Sequence, residues 1–323
     1  MSTKTPALGC IRGEHIEAYH ATDAVSKSKL GDFRKSPLLY FRKYVEQSIP
    51  RDPMSDAFLT GQGAHVLTLE GWDEYRRQFV IAPNDAPKYP TSAQRNAKKP
   101  SEETIAAIAY WDEFEKNTKG KHRITPADER LHKRIRDSIF SHPIAALLIS
   151  EGEAEVTFRA QGERYFIQAR TDWVNFGCSA DLASRLNALF QASGSTVRIQ
   201  AGEPYCVDLK TTASLSDNDF NNFARNFVQF GYHRQGPMYR GVIKSAIDLD
   251  IEKFFFVSVE TDVLFETAVF LPDEPANAQG WAEVSDDLAR LSRCYDRHEF
   301  PGTPQGLQTI SIPTWYLRKE GAL

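Results

Sequence analysis

The sequence predicts an α/β fold: a central mixed β-sheet flanked by helices, with a largely helical N-terminal portion ahead of it. Three observations predict this. Apolar residues recur at helical spacing through most of residues 26–149. From Glu153 the pattern turns to alternation, and AEVTFRA and ERYFIQARTDWV read as a hairpin about Gln161-Gly162. Thereafter the strand-like runs YCVDLKT, FFFVSVE and LFETAVFL are interleaved with helical stretches, an order that builds one layered core. At 323 residues, with 41% hydrophobic and 25% charged content, the chain can bury such a core without staples, so residues 1–323 are read as one domain.

Within residues 1–150, Ser26 and Ser28 are candidate N-caps for two short helices over 26–46, broken before Pro37. A further helix covers 55–70. Residues 83–100 carry four prolines and no apolar periodicity, which predicts a flexible surface loop or flap. Helices resume over 101–117 and 126–149. The catalytic α/β portion spans 151–300, with a helix at 180–191, a strand at VRIQ, helices at 216–229 and 232–246, and a last helix at 274–297. Residues 301–323 form a tail, whose aromatic run Ile312-Pro313-Thr314-Trp315-Tyr316-Leu317 is read as a terminal packing contact.

Composition excludes several classes. The four cysteines, Cys10, Cys178, Cys206 and Cys294, are scattered, which argues against a zinc knuckle, a disulfide framework and an iron–sulfur cluster. No apolar run approaches the roughly 18 residues a membrane span needs, and the N-terminus has no leader-like pattern, so a cytoplasmic location is expected. The net charge of −4 is low for a protein that coats DNA. Basic residues nevertheless cluster at Arg34, Lys35, Arg42 and Lys43, at Lys88, Arg95, Lys98 and Lys99, and at Arg130, Lys133, Arg134 and Arg136.

The strongest chemical signal is Val207-Asp208-Leu209-Lys210-Thr211-Thr212 at a strand end. Side chains alternate along a strand, so Asp208 and Lys210 share one face and Leu209 takes the other. Asp172 ends the strand FIQARTDWV and Glu155 lies on its hairpin partner, which lets three carboxylates and a lysine converge. Phosphodiester hydrolysis uses that inventory: hard oxygen ligands for a divalent ion, and a cation beside the phosphate. Asp172 and Asp208 are the candidate metal ligands, the carbonyl of Leu209 a third, and Lys210 the group that orients or deprotonates water or stabilises developing charge. Two more constellations accompany them. GQGAHVLTLE sets His65 among small residues on an apolar helix, and Gln235 and Tyr239 lie four apart on one helical face.

In this order, SKSKLGDFRKSPLLYF, GQGAHVLTLE, Glu155, Arg170-Thr171-Asp172, Asp208 to Thr212 and Gln235 to Tyr239 resemble the RecE-type (exodeoxyribonuclease VIII-like) nucleases. That family belongs to the PD-(D/E)XK superfamily with the RecB nuclease domain and lambda exonuclease. The resemblance spans roughly residues 26–271. It implies a restriction-endonuclease-like core. It also puts His65, Glu155, Asp172, Asp208 and Lys210 at the catalytic and metal site, with Gln235 and Tyr239 matching the motif after the lysine. Arg34, Lys35, Lys98, Lys99, Arg170, Thr211 and Thr212 are the candidate DNA contacts. Mg²⁺, or Mn²⁺ in its place, is the implied cofactor. The implied activity is one-strand degradation, 5′-to-3′, from double-stranded DNA ends, in a phage-infected or bacterial cell. A single-strand annealing protein of the RecT or Beta type is the implied partner, and a trimeric or tetrameric ring the implied assembly. The sequence departs from the family in one place: Asp172 and Asp208 are 36 positions apart, so residues 177–200 read as an insertion. A repair or defence nuclease acting on single-stranded or internal sites, and a DNA-end-binding module without turnover, are the alternative readings.

Overall fold

The computed structural model describes residues 6–50, 56–215, 221–312 and 314. In chain order, β1 (Gly9–Ile11), α1 (Ile16–Ala21), α2 (Lys27–Lys35) and α3 (Pro37–Tyr40) lead into a π-helical turn, Phe41–Val45. Next come α4 (Asp56–Leu69), α5 (Gly71–Gln78), β2 (Phe79–Ile81), the one-turn α6 (Ser92–Arg95), α7 (Glu102–Asn117) and β3 (His122–Ile124). Helices α8 (Pro126–Ser141) and α9 (Pro143–Leu148) precede the hairpin of β4 (Glu153–Gln161) and β5 (Phe166–Asn175). Then follow α10 (Ala180–Ala192), β6 (Tyr205–Thr212), α11 (Asn221–Gln229), α12 (Tyr232–Ile247), β7 (Lys253–Glu260), β8 (Thr267–Phe270) and α13 (Glu274–Arg297).

The main sheet is six-stranded in the order β1-β4-β5-β6-β7-β8. It is mixed, as expected: β6 and β7 run parallel and the other neighbours antiparallel. Both of its faces are covered, which explains the unbroken apolar run of β7. Phe254 and Phe256 pack with Cys206, Met238, Val242 and Val284 on the α12–α13 side. Phe255, Val257 and Val259 pack with Val207, Ile135, Leu182 and Leu186 on the other. The N-terminal portion is built into this core, because β1 pairs with β4 and α2 packs on α13.

Several expectations hold and several need correction. Ser26 caps α2 by accepting the Lys29 N–H, but Ser28 lies inside the helix, and the second cap is Ser36. The helix expected over 126–149 is broken by Pro143, which removes a backbone donor and starts a new helix capped by His142. VRIQ is not a strand. Asn187 of α10 instead satisfies the backbone of Ile199 in both directions, at 2.8 and 2.9 Å, so this segment needs no ladder. Residues 83–100 are not a free flap: α6 carries a capping box, Trp111 donates to the Pro87 carbonyl at 2.9 Å, and Arg95 pairs with Asp112 at 2.7 Å. The insertion is the packed helix α10, with Leu182, Ala183, Leu186 and Phe190 in the core. Residues 216–220 of an expected helix, and Pro313 and Trp315–Leu317 of the aromatic tail, lie outside the described residues. No helix among the described residues is long and apolar enough to cross a membrane.

Candidate active site

The site begins where the sheet forks. Antiparallel pairing of β5 with β6 runs from Asn175–Tyr205 to Trp173–Val207 and ends there. Beyond that point β5 continues along β4, and β6 along β7 as far as Thr212. One further step of register would set Asp172 against Asp208. Instead the Asp172 carboxylate accepts the Leu209 N–H at 2.8 Å, taking the place of the lost ladder bond. Leu209 therefore touches the site through its amide.

The neighbouring register places Glu155 opposite Asp172, but Glu155 holds a left-handed φ of 55°, unusual for a side chain of this type. The faces of β5 exchange at the same level. Ile167 and Ala169 point into the α12–α13 core before Asp172, whereas Val174 does so after it and Trp173 joins the opposite core. Helix α4 lies across the fork, and two glycines let it approach. A Cβ on Gly61 would stand 3.3 Å from Thr211 Oγ1, and one on Gly63 only 2.2 Å from the His132 ring. Two residues past Gly63, His65 bridges the carboxylates, with Nδ1 3.0 Å from Glu155 and Nε2 2.9 Å from Asp172. Burial disfavours the imidazolium, but the Asp172 and Glu155 charges outweigh it and hold the His65 pKa well above its ordinary value.

On the other side of the fork, Asp208 and Lys210 share the α12 face of β6 and form an ion pair there. Asp208 is 1% exposed. Burial, together with the nearby Asp172 charge, pushes its carboxyl up to about 6 even though Lys210 opposes this. Burial pulls Lys210 down, yet Asp208 and Asp172 more than compensate, so it remains an ammonium. Gln235, on α12, donates to Asp208. Tyr239, one turn further on, is not bonded to Asp208 or Lys210 among the described contacts, and its ring packs edge-on against Phe254.

The structure separates the predicted DNA contacts into two groups. Arg170 is no free cation: it pairs with Glu155 and donates to the Glu14 carbonyl, so it positions a site carboxylate. Arg34 is tied to Glu283 at 2.9 Å and Asp287 at 3.1 Å on α13. Thr212 is buried and donates to the Ser214 carbonyl at 3.1 Å. Charge and hydroxyl content alone could not reveal these partners. Lys35 is exposed beside Asp32, Lys98 and Lys99 are exposed, and Thr211 lines the cavity. Two residues escaped the sequence reading. Tyr232 has its ring centroid 4.8 Å from the Lys210 ammonium, and Glu70 faces the same cavity with its carboxyl raised to about 7 by burial and by Glu155.

The cavity has a volume of about 630 Å³ and is lined by His65, Glu155, Asp172, Lys210, Thr211 and Tyr232 among others. Donor atoms of His65, Glu155 and Asp172 all lie within 4.8 Å of one another, and Asp208 is not a fourth member of that group. Two carboxylates and an imidazole in one half-buried cluster fit a divalent ion such as Mg²⁺ or Mn²⁺, the carboxylates favouring a hard cation. His65, Glu155 and Asp172 would hold it. Asp208 lies beside them, paired with Lys210 and accepting from Gln235.

Fold and site together have the arrangement of a PD-(D/E)XK-like domain. Residues 198–310, which carry Asp208, Lys210 and Gln235, match the family described as a PDDEXK-like domain of unknown function (DUF3799). Among solved structures, the chain is similar to a "Putative exonuclease" from Eubacterium rectale, at 14% identity with a TM-score of 0.55. The similarity covers 96% of this chain and 99% of that one, a likeness of fold. No curated protein matches the sequence significantly.

Proposed function

We propose that this protein is a divalent-metal-dependent deoxyribonuclease that degrades one strand from double-stranded DNA ends, 5′-to-3′, leaving 3′ single strands for an annealing protein of the RecT or Beta type. One observation carries the reading: three metal-ligand side chains and an Asp–Lys–Gln set, drawn from α4, β4, β5, β6 and α12, meet at one fork in the sheet. Mg²⁺ or Mn²⁺ bound by His65, Glu155 and Asp172 supplies Lewis acidity toward the phosphate. The chain's own residues do the rest. Arg170 and the Leu209 amide hold Glu155 and Asp172 in place. Lys210, kept charged by Asp208, neutralises charge that builds on the scissile phosphate. Gln235 locks Asp208 and, through it, the lysine.

A ring-shaped trimer or tetramer that threads duplex is the assembly that goes with this activity, in the cytoplasm of a bacterial or phage-infected cell. The experiment is digestion of linear and nicked DNA labelled at either end, and of closed circular DNA labelled throughout, with Mg²⁺, with Mn²⁺ and with chelator. Release of 5′ label from linear DNA, dependent on metal, is expected. Label released from closed circles would overturn the exonuclease reading, and Lys210→Ala degrading DNA at the parent rate would remove Lys210 from the mechanism.

A further inference from the structure

We infer that Phe230, with Tyr232 behind it, forms a stacking platform for a nucleobase of the bound DNA strand, and that Lys27 holds the phosphate of that nucleotide. This rests on the nuclease reading and names how the site grips one strand.

Phe230 lies in the turn between α11 and α12 and is 52% exposed, next to Val228 at 64%. A large apolar ring held open to water beside a residue that lines the cavity has a hydration cost that a ligand ring would remove. Its inner neighbour is fixed. Tyr232 lines the cavity, stacks on Phe256 at 6.1 Å between centroids, and lies 5.8 Å from Phe230 with the rings tilted by 37°. The platform is therefore a solvent-facing ring backed by an anchored one.

Charge complementarity identifies the occupant. The Lys27 ammonium is 5.4 Å from the Tyr232 centroid and the Lys210 ammonium 4.8 Å from it. Lys210 is neutralised by Asp208, but Lys27 donates at 2.9 Å only to the neutral carbonyl of Phe230, and no carboxylate among the described residues is paired with it. An open aromatic face with a cation donating to its backbone carbonyl suits a ligand made of a flat ring joined to an anion. A nucleotide of a single strand leaving the site has that form.

Stacking on an aromatic side chain typically accounts for roughly 1–3 kcal/mol per base, or about 5- to 150-fold in affinity. Binding of a fluorescein-labelled single-stranded dodecanucleotide is measured by anisotropy in EDTA, and its cleavage by steady-state kinetics with Mg²⁺. Phe230→Ala is expected to raise both Kd and KM at least fivefold with kcat nearly unchanged, and Phe230→Trp to restore both. Scanning one abasic nucleotide along the DNA should reveal a position where the parent weakens as much as Phe230→Ala does, while that variant no longer responds there. Kd and KM within twofold of the parent, equal sensitivity of parent and variant at every abasic position, or a lower sedimentation mass for Phe230→Ala would each overturn the platform. If the parent binds through Phe230 but cleaves nothing with Mg²⁺ or Mn²⁺, the nuclease reading fails and the platform stands.

Discussion

Gly63→Ala tests whether α4 is placed by contact with α8. In most exposed helices this change stabilises, by about 1 kcal/mol, because alanine restricts the unfolded chain and favours the helix. Here the new methyl would lie 2.2, 2.5 and 2.7 Å from three atoms of the His132 ring. That ring has little freedom, since Nδ1 is hydrogen-bonded to the Tyr75 hydroxyl at 2.7 Å and the Tyr75 and Phe79 rings pack 5.8 and 6.1 Å away. Either α4 or the His132–Tyr75 unit must move, an overpacking cost at the upper end of its usual range, about 3 kcal/mol. The net expectation is a loss of about 2 kcal/mol, or a melting temperature lower by roughly 4 °C. Because His65 follows two residues later, nuclease activity should fall further than stability. Calorimetry of Gly63→Ala, His132→Ala and the double variant isolates the contact: the two losses should fall short of additivity by more than about 1 kcal/mol. A Gly63→Ala protein as stable as its parent would refute the reasoning.

Three further outcomes are expected. Arg170→Gln should lower activity more than tenfold while leaving the fold intact, because Glu155 loses the guanidinium that holds it; an active variant would show that the pair is incidental. Burial pushes the His132 pKa down to about 4, so the unfolded chain binds more protons than the folded one between about pH 6.5 and 4. Stability contributed by the neutral ring is thus complete above pH 6.5 and is lost as pH falls through this window, by up to about 3 kcal/mol, and denaturant titrations of His132→Gln should show a flatter acid limb. Replacing both Lys98 and Lys99 with alanine should reduce the dependence of log Kd for duplex DNA on log salt by roughly 2, and an unchanged slope would take these exposed lysines off the DNA path.

Local pattern decided a good deal of this protein. Alternation in YCVDLKT put Asp208 and Lys210 on one face, and the structure pairs them there. The periodicity of 180–191 marked α10, and the small residues about His65 announced the close approach that Gly61 and Gly63 make. Such features depend on neighbours within a few residues, which a one-dimensional pattern records. The partners of charged and polar groups do not. Sequence displays the donors Arg34, Arg170 and Thr212 without their acceptors, which α13, β4 and Ser214 supply in the fold. VRIQ read as a strand because its pattern suits one, yet the side chain of Asn187 satisfied its backbone instead. Above all, the meeting of His65 with Glu155 and Asp172 was settled only in three dimensions: β5 leaves β6 at Trp173, α4 enters the gap, and each carboxylate finds the imidazole that the broken ladder lets in.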